Sequence, residues 1–246
     1  MRPFLIALQF LTQLPVRFSN YPEPEEIGRS LDYYPVVGLL IGVLLVVFAW
    51  MLGETDSLLK AALLLSAWVW LTGGLHLDGL ADCTDAWVGG LGDRDKTLAI
   101  MKDPSSGPAA VVLLVLLLLI KFTALHAILS TQQWQALLMA PILGRTVLPL
   151  LFLSTPYMRS QGLGAALARH KSRRLGFIVA GTVLVLVMTF GFATLWLMLV
   201  TTVVLLAMRR LMLKRIGGCT GDTAGALVEV TEIAILLAMA ILIRVS

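Results

Sequence analysis

Three aspartates carry the first chemical signal. Asp78, Asp82 and Asp85 lie in the run Gly73-Gly74-Leu75-His76-Leu77-Asp78-Gly79-Leu80-Ala81-Asp82-Cys83-Thr84-Asp85, spaced i, i+4, i+7. On a helix that spacing puts all three carboxylates on one face. Like charges so placed repel, and a sequence tolerates the repulsion mainly where cations bind. Oxygen-only ligands suit a hard ion such as Mg²⁺. A second acidic set follows Gly217-Gly218-Cys219-Thr220-Gly221-Asp222: Glu229 and Glu232, i, i+3 on an otherwise apolar helix. Carboxylates there are costly unless paired or metal-bound. Between the two sets lie Gly89-Gly90-Leu91-Gly92-Asp93-Arg94-Asp95 and Met101-Lys102-Asp103. Their glycines permit close backbone approach to a ligand, and Arg94 and Lys102 are suited to phosphate oxygens. Together these features point to phosphoryl or phosphodiester transfer. In such chemistry two metal ions activate an attacking hydroxyl and neutralise a leaving phosphate. A glycine loop ending in Gly-Lys-Ser/Thr is absent, which argues against ATP hydrolysis.

Each candidate has a plainer alternative. Asp82 or Asp222 would also serve as a helix cap, and Asp93 and Asp95 as solvated loop charges. His76 is a candidate for a direct chemical role beside the alternative of a satisfied interfacial histidine; His126 and His170 are weaker. Arg145 sits inside an apolar segment, where it would face a polar cavity, whereas Lys121 would snorkel or pair structurally. Cys83 and Cys219 show no zinc-like spacing and no disulfide framework.

The elements that position these residues belong to a membrane. Of 246 residues, 58% are hydrophobic and 14% charged, against roughly 25% charged in soluble domains. Mean hydropathy is +0.89. The apolar residues form long blocks at about 35–52, 57–75, 108–130, 134–156, 176–191, 194–213 and 226–245, as bilayer-spanning helices do. The run over 175–208 is too long for one ordinary span and is broken near Gly191-Phe192-Ala193. Residues 4–14 end at Pro15, too short to cross, and predict an interfacial or buried helix. Tyr21 to Glu26 reads as a polar loop. The N-terminus carries no signal-peptide pattern. The expected fold is therefore all-α: a polytopic bundle of about seven transmembrane helices plus a short N-terminal interfacial helix. It forms one domain over 1–246, with acidic loops at about 76–107 and 214–232.

Basic residues orient the bundle. With the N-terminus inside, the inner segments hold Arg2, Arg17 and Arg29; Arg94, Lys96 and Lys102; Arg159, Arg169, Lys171, Arg173 and Arg174; and Arg209, Arg210, Lys214 and Arg215. Fifteen of the nineteen basic residues thus fall on the cytoplasmic side, as the positive-inside rule requires. This accounts for the net charge of +4 without nucleic acid as a partner. Function is expected on the cytoplasmic face.

The motifs, taken in order, resemble the cobalamin synthase (adenosylcobinamide-GDP ribazoletransferase) family over nearly the whole chain. The carrying residues are Phe10-Leu11-Thr12-Gln13-Leu14-Pro15-Val16, then Tyr34-Pro35-Val36-Val37-Gly38-Leu39-Leu40-Ile41-Gly42. Next comes the most specific stretch, Gly74-Leu75-His76-Leu77-Asp78-Gly79-Leu80-Ala81-Asp82. Asp85, Asp93-Arg94, Met101-Lys102-Asp103, Gly144-Arg145, Gly217-Gly218 and Thr220-Gly221-Asp222 complete the set. One departure is that the family often has Ser-Arg-aliphatic-Gly after the Lys-Asp pair. Here the segment is Pro104-Ser105-Ser106-Gly107-Pro108, so no phosphate contact is assigned there.

The resemblance implies a Mg²⁺-dependent, last-stage step of cobalamin assembly at a bacterial-type inner membrane. A hydroxyl of α-ribazole, or of its 5'-phosphate, attacks the cobinamide-linked phosphorus of adenosylcobinamide-GDP and GMP leaves. It also implies roles. Asp78, Asp82, Asp85, Glu229 and Glu232 would hold metal, Asp82, Asp222 and His76 are the catalytic candidates, and Lys102, Arg94 and Arg145 would meet phosphate. The partners are the two substrates and the lipid bilayer, with a homo-oligomer left open. Two rivals remain. A CDP-alcohol phosphotransferase needs Asp-Gly-x-x-Ala-Arg, but Asp82 stands where arginine belongs. A cation-coupled transporter would place its acids at the midplane and show repeats, and here the acids gather at the cytoplasmic boundary.

Overall fold

The computed structural model describes residues 1–103, 105–191 and 193–242. Among them there are twelve α-helices and no strand. α1 (Arg2–Leu11) is the expected short helix and buries Ile6, Ala7, Leu8 and Leu11. α2 (Pro24–Ser30) begins inside the segment expected to be a loop. Proline at the first helical turn loses no hydrogen bond, and the Glu26 carboxylate accepts the Glu23 N–H at 3.1 Å. These local features start a helix in a polar stretch, and a 3-10 turn at Leu31–Tyr33 joins it to α3 (Tyr34–Met51).

α4 (Ser57–Thr72) is capped by Asp56, which accepts from the N–H groups of Leu58 and Leu59. The chain then bends by 86° into α5 (Leu75–Gly89). Gly73 and Gly74 make the bend at φ +64° and +66°, a left-handed geometry that side chains resist. The 16 residues of α4 reach about 24 Å at 1.5 Å each. α4 alone therefore has most of the length of a crossing, and α5 runs at nearly right angles across its end. The acidic stretch 76–107 is thus largely helical, as α5 and α6 (Arg94–Ile100).

The remaining helices are α7 (Pro108–Ser130), α8 (Gln135–Ser154), α9 (Leu163–Arg169), α10 (Leu175–Phe190), α11 (Ala193–Ile216) and α12 (Gly221–Leu242). All seven expected apolar segments are helices. The expected break after α10 falls at Gly191, φ +74°; Phe192 lies outside the described residues. Five helical stretches are long and apolar enough to cross a membrane, or six where the bent α4–α5 pair is counted as one span. α10, at 16 residues, is a shorter apolar helix. The protein is a multi-pass membrane protein. Val111, Val115 and Leu119 on α7 and Leu195, Leu199 and Val203 on α11 are exposed, the pattern of a lipid-facing surface. α8 lies at the centre, buried along nearly its whole length. α3 and α12 both pack against it.

Candidate active site

The site begins where α5 crosses α12. A methyl group on Gly79 would sit 2.8 Å from the Asp222 carbonyl oxygen, and one on Gly225 would sit 3.2 Å from the His76 Cα. Only hydrogen at these positions lets the two backbones approach so closely. The crossing brings Asp78 and Asp222, 144 residues apart in sequence, onto the wall of one cavity of about 270 Å³. His76, Tyr34, Tyr157, Arg159 and Gln161 also line that wall. Arg159 donates to the Asp222 carboxylate at 2.5 Å. The N-terminus of α12 is capped by Thr220 and Thr223, which bond each other's N–H groups at 3.3 and 2.8 Å. Asp222 is thereby not needed as the cap and lines the cavity, held by Arg159.

Asp82 lies one turn along α5 from Asp78. Burial, then the nearby carboxylates of Asp78 and Asp222, push its carboxyl up to about 6, with Arg159 offsetting only part of the effect. The cluster thus holds more negative charge than its arginine neutralises. Its donors are all oxygen and partly solvated, the set a hard divalent cation prefers. Asp78 and Asp222, the two that line the cavity, fit Mg²⁺ on that chemistry, with Asp82 beside them. Among the described residues, no group of three His, Cys, Asp or Glu side chains is already drawn together around a metal position.

The other acidic candidates are engaged elsewhere. Asp85 accepts the N–H of Gly107 at 2.5 Å and that of Ala110 at 3.0 Å. It caps the N-terminus of α7, which Gly107 cannot cap for want of a side chain. Glu229 and Glu232 lie about two and three turns further along α12 than Asp222, buried inside the bundle. Lys121 of α7 donates to Glu229 at 3.1 Å and to Glu232 at 2.5 Å. Arg145 of α8 donates to Glu232 as well. All four side chains are at most 5% exposed, and the Lys121 ammonium lies 4.3 Å from the Trp68 ring centroid. Two cations and two anions from three helices make a neutral, buried network. In this conformation the glutamates have ammonium and guanidinium partners, and Arg145 is committed to one of them.

Arg94 and Lys102 are exposed and do not line this cavity. Asp93 caps α6, accepting the Lys96 N–H at 2.8 Å. His76 is buried, with its Nδ1 unpartnered, and lines the cavity. Arg159 entered the sequence reading only as one of the basic residues of an inner segment, and Tyr157 not at all. Their place is set by pairing of residues 156–158 with Cys219, where Met158 N–H donates to the Cys219 carbonyl at 2.9 Å and Cys219 N–H to that of Pro156 at 2.8 Å. No local sequence signal announces this pairing.

The family model described as cobalamin-5-phosphate synthase matches residues 3–240. The chain belongs to that family. Relatives named adenosylcobinamide-GDP ribazoletransferase include one from Pseudomonas fluorescens, 59% identical over 98% of this chain and 100% of its own length. Another, from Pseudomonas aeruginosa, is 57% identical over 98% of each chain. A third, from Pseudomonas savastanoi, is 54% identical over 98% of this chain and its own full length. No solved structure matches. As a member of the cobalamin-5-phosphate synthase family, the chain is a transferase of cobalamin biosynthesis. The family motifs noted in the sequence fall into place on the fold. Gly74 to Asp82 form the bend and first half of α5, Gly217 to Asp222 lead into α12, and Gly144-Arg145 meets Glu232.

Proposed function

We propose that this transferase joins adenosylcobinamide-GDP to α-ribazole or its 5'-phosphate, at a site facing the cytoplasm of a bacterial inner membrane. The acceptor's hydroxyl oxygen bonds to the cobinamide-linked phosphorus. The bond from that phosphorus to the bridging oxygen breaks, and GMP departs with the electron pair. The reading is supported by one observation above all: Asp78, Asp222 and Arg159 meet on one cavity with Asp82 beside them. Asp78 and Asp222 would hold Mg²⁺, which supplies neutralisation of phosphate charge when bound. Asp82, one turn along α5 from Asp78, takes the proton from the attacking hydroxyl. Arg159 holds Asp222 in position and presents its remaining N–H groups to phosphate oxygen. The inner-membrane orientation rests on the fifteen basic residues of the inner segments.

The test is nucleotide release by purified protein with Mg²⁺. GMP should form only when both substrates are present, and Asp82→Asn should remove most of it while the protein stays folded. GMP release without acceptor, or wild-type turnover in Asp82→Asn, would refute the assignment.

A further inference from the structure

The proposed reaction brings at least two phosphorus centres to the site, yet Arg94 and Lys102 line none of the cavities bordered by Asp78, Asp222 or Arg159. A second cavity, of about 430 Å³, adjoins the first, and Tyr157 and Arg159 line both. Its wall carries Arg159, Arg169 and Lys171 and no carboxylate.

The framework around this cavity is fixed. Residues 156–158 are tied to Cys219 by the two backbone hydrogen bonds described above. The Tyr157 ring stacks on Phe152 with centroids 5.8 Å apart, and α9 supplies the opposite wall through Ala165 and Ala168. Lys171 Nζ donates to the Phe152 carbonyl at 2.8 Å, and Arg169 to the Ser160 carbonyl at 3.0 Å. Each contact uses one donor, of three on a lysine and five on an arginine. A carbonyl positions such a group without neutralising it. Arg159, in contrast, already holds Asp222. The cavity is therefore a preformed cationic pocket, one residue removed from the carboxylates.

We propose that this pocket binds a phosphate group of the substrates, with Lys171 and Arg169 as specificity-determining residues and Arg159 as the bridge to the reacting centre. The inference rests on the proposed reaction, which offers two sources of that chemistry: the 5'-phosphate of the acceptor, or the guanylate phosphate of the donor. Both lie a few bonds from the reacting atoms, as the shared wall at Tyr157 and Arg159 requires.

The test uses the full chain in detergent, with Lys171→Gln and Arg169→Gln and the conservative Lys171→Arg. The KM values for α-ribazole 5'-phosphate, α-ribazole and adenosylcobinamide-GDP are compared. If the acceptor's phosphate occupies the pocket, Lys171→Gln raises KM for α-ribazole 5'-phosphate about tenfold or more relative to that for α-ribazole, the worth of one charge-assisted hydrogen bond. Lys171→Arg restores the ratio. If the guanylate phosphate occupies it, KM for adenosylcobinamide-GDP rises by that factor with either acceptor. Changes below twofold in all three would overturn the proposal. For a variant without turnover, the readout is thermal stabilisation by inorganic phosphate, and wild-type stabilisation in Lys171→Gln and Arg169→Gln would also overturn it. The same measurement separates the two layers of inference. If wild-type protein releases no GMP but is stabilised by phosphate through Lys171, the reaction reading fails while the anion pocket stands.

Discussion

Removing the Lys121 ammonium should unfold this protein more readily than almost any other single change, and removing Glu229 as well should largely repair it. The network of Lys121, Glu229, Glu232 and Arg145 is neutral and almost fully buried. Lys121→Met leaves two carboxylates facing one guanidinium, and Glu229 loses its hydrogen-bonded cation. Breaking a buried pair from one side costs about 3–5 kcal/mol, because the remaining charge stays desolvated. For a chain of this size each kcal/mol moves the unfolding midpoint by about 2–4 °C, so the single mutant should melt about 6–20 °C lower. Lys121→Met with Glu229→Gln leaves the one-to-one Arg145–Glu232 pair, which is neutral again. The double mutant should regain more than half of the loss, a coupling seen only between residues in one network. Thermal unfolding in detergent, followed by tryptophan fluorescence, measures both, and a Mg²⁺ titration of the melting point is run on the same samples. A Lys121→Met midpoint within 2 °C of wild type would refute the argument. So would a double mutant no more stable than the single, or loss of Mg²⁺ stabilisation on Glu229→Gln in the repaired background, since that last result would make Glu229 a metal ligand.

Three further outcomes follow from the geometry. Asp85→Ala should lower stability by about 1–2 kcal/mol through loss of the α7 cap while Mg²⁺ stabilisation persists; a Mg²⁺ response abolished by this change would return Asp85 to the metal site. Gly79→Ala should cost about 1–3 kcal/mol by overpacking the α5–α12 crossing and cut turnover with it, so a variant as stable and active as wild type would mean that the backbones part freely. In Mg²⁺-free protein the Asp82 carboxyl should titrate near 6, held up by burial and by Asp78 and Asp222, and Mg²⁺ on those two carboxylates should draw it down; a titration of the metal-free protein followed by carboxylate NMR that gives Asp82 an ordinary value, or no response to Mg²⁺, would refute this arrangement.

Much of this architecture is legible in the sequence. The seven apolar blocks became helices α3, α4, α7, α8, α10, α11 and α12, since block length and turn residues are local properties. The face shared by Asp78 and Asp82 is also local, a matter of helical period. What failed to show was the choice among partners distant in the chain. Glu229 and Glu232 find Lys121 across 108 and 111 residues, and spacing does not encode that. A signal existed in the balance of charge: two cations, Lys121 and Arg145, and two glutamates stand inside apolar segments, and buried charges must cancel. Asp85 left a similar trace, because a helix opening at Gly107-Pro108 has no capping side chain of its own. Arg159 left none, because its position depends on the backbone pairing of residues 156–158 with Cys219.

The neutral network also bears on how the chain enters a membrane. During synthesis Lys121 and Arg145 emerge first, and each charge near a helix centre costs roughly 2.5–3.5 kcal/mol on insertion scales. Their counter-ions arrive only with α12, about 110 residues later than Lys121. Until then α7 and α8 carry uncompensated cations that have reason to stay at the translocation channel or beside water. Completion of α12 cancels all four charges at once and releases three helices to lipid together. A chain interrupted before Glu229 leaves Lys121 in α7 and Arg145 in α8 without these counter-ions.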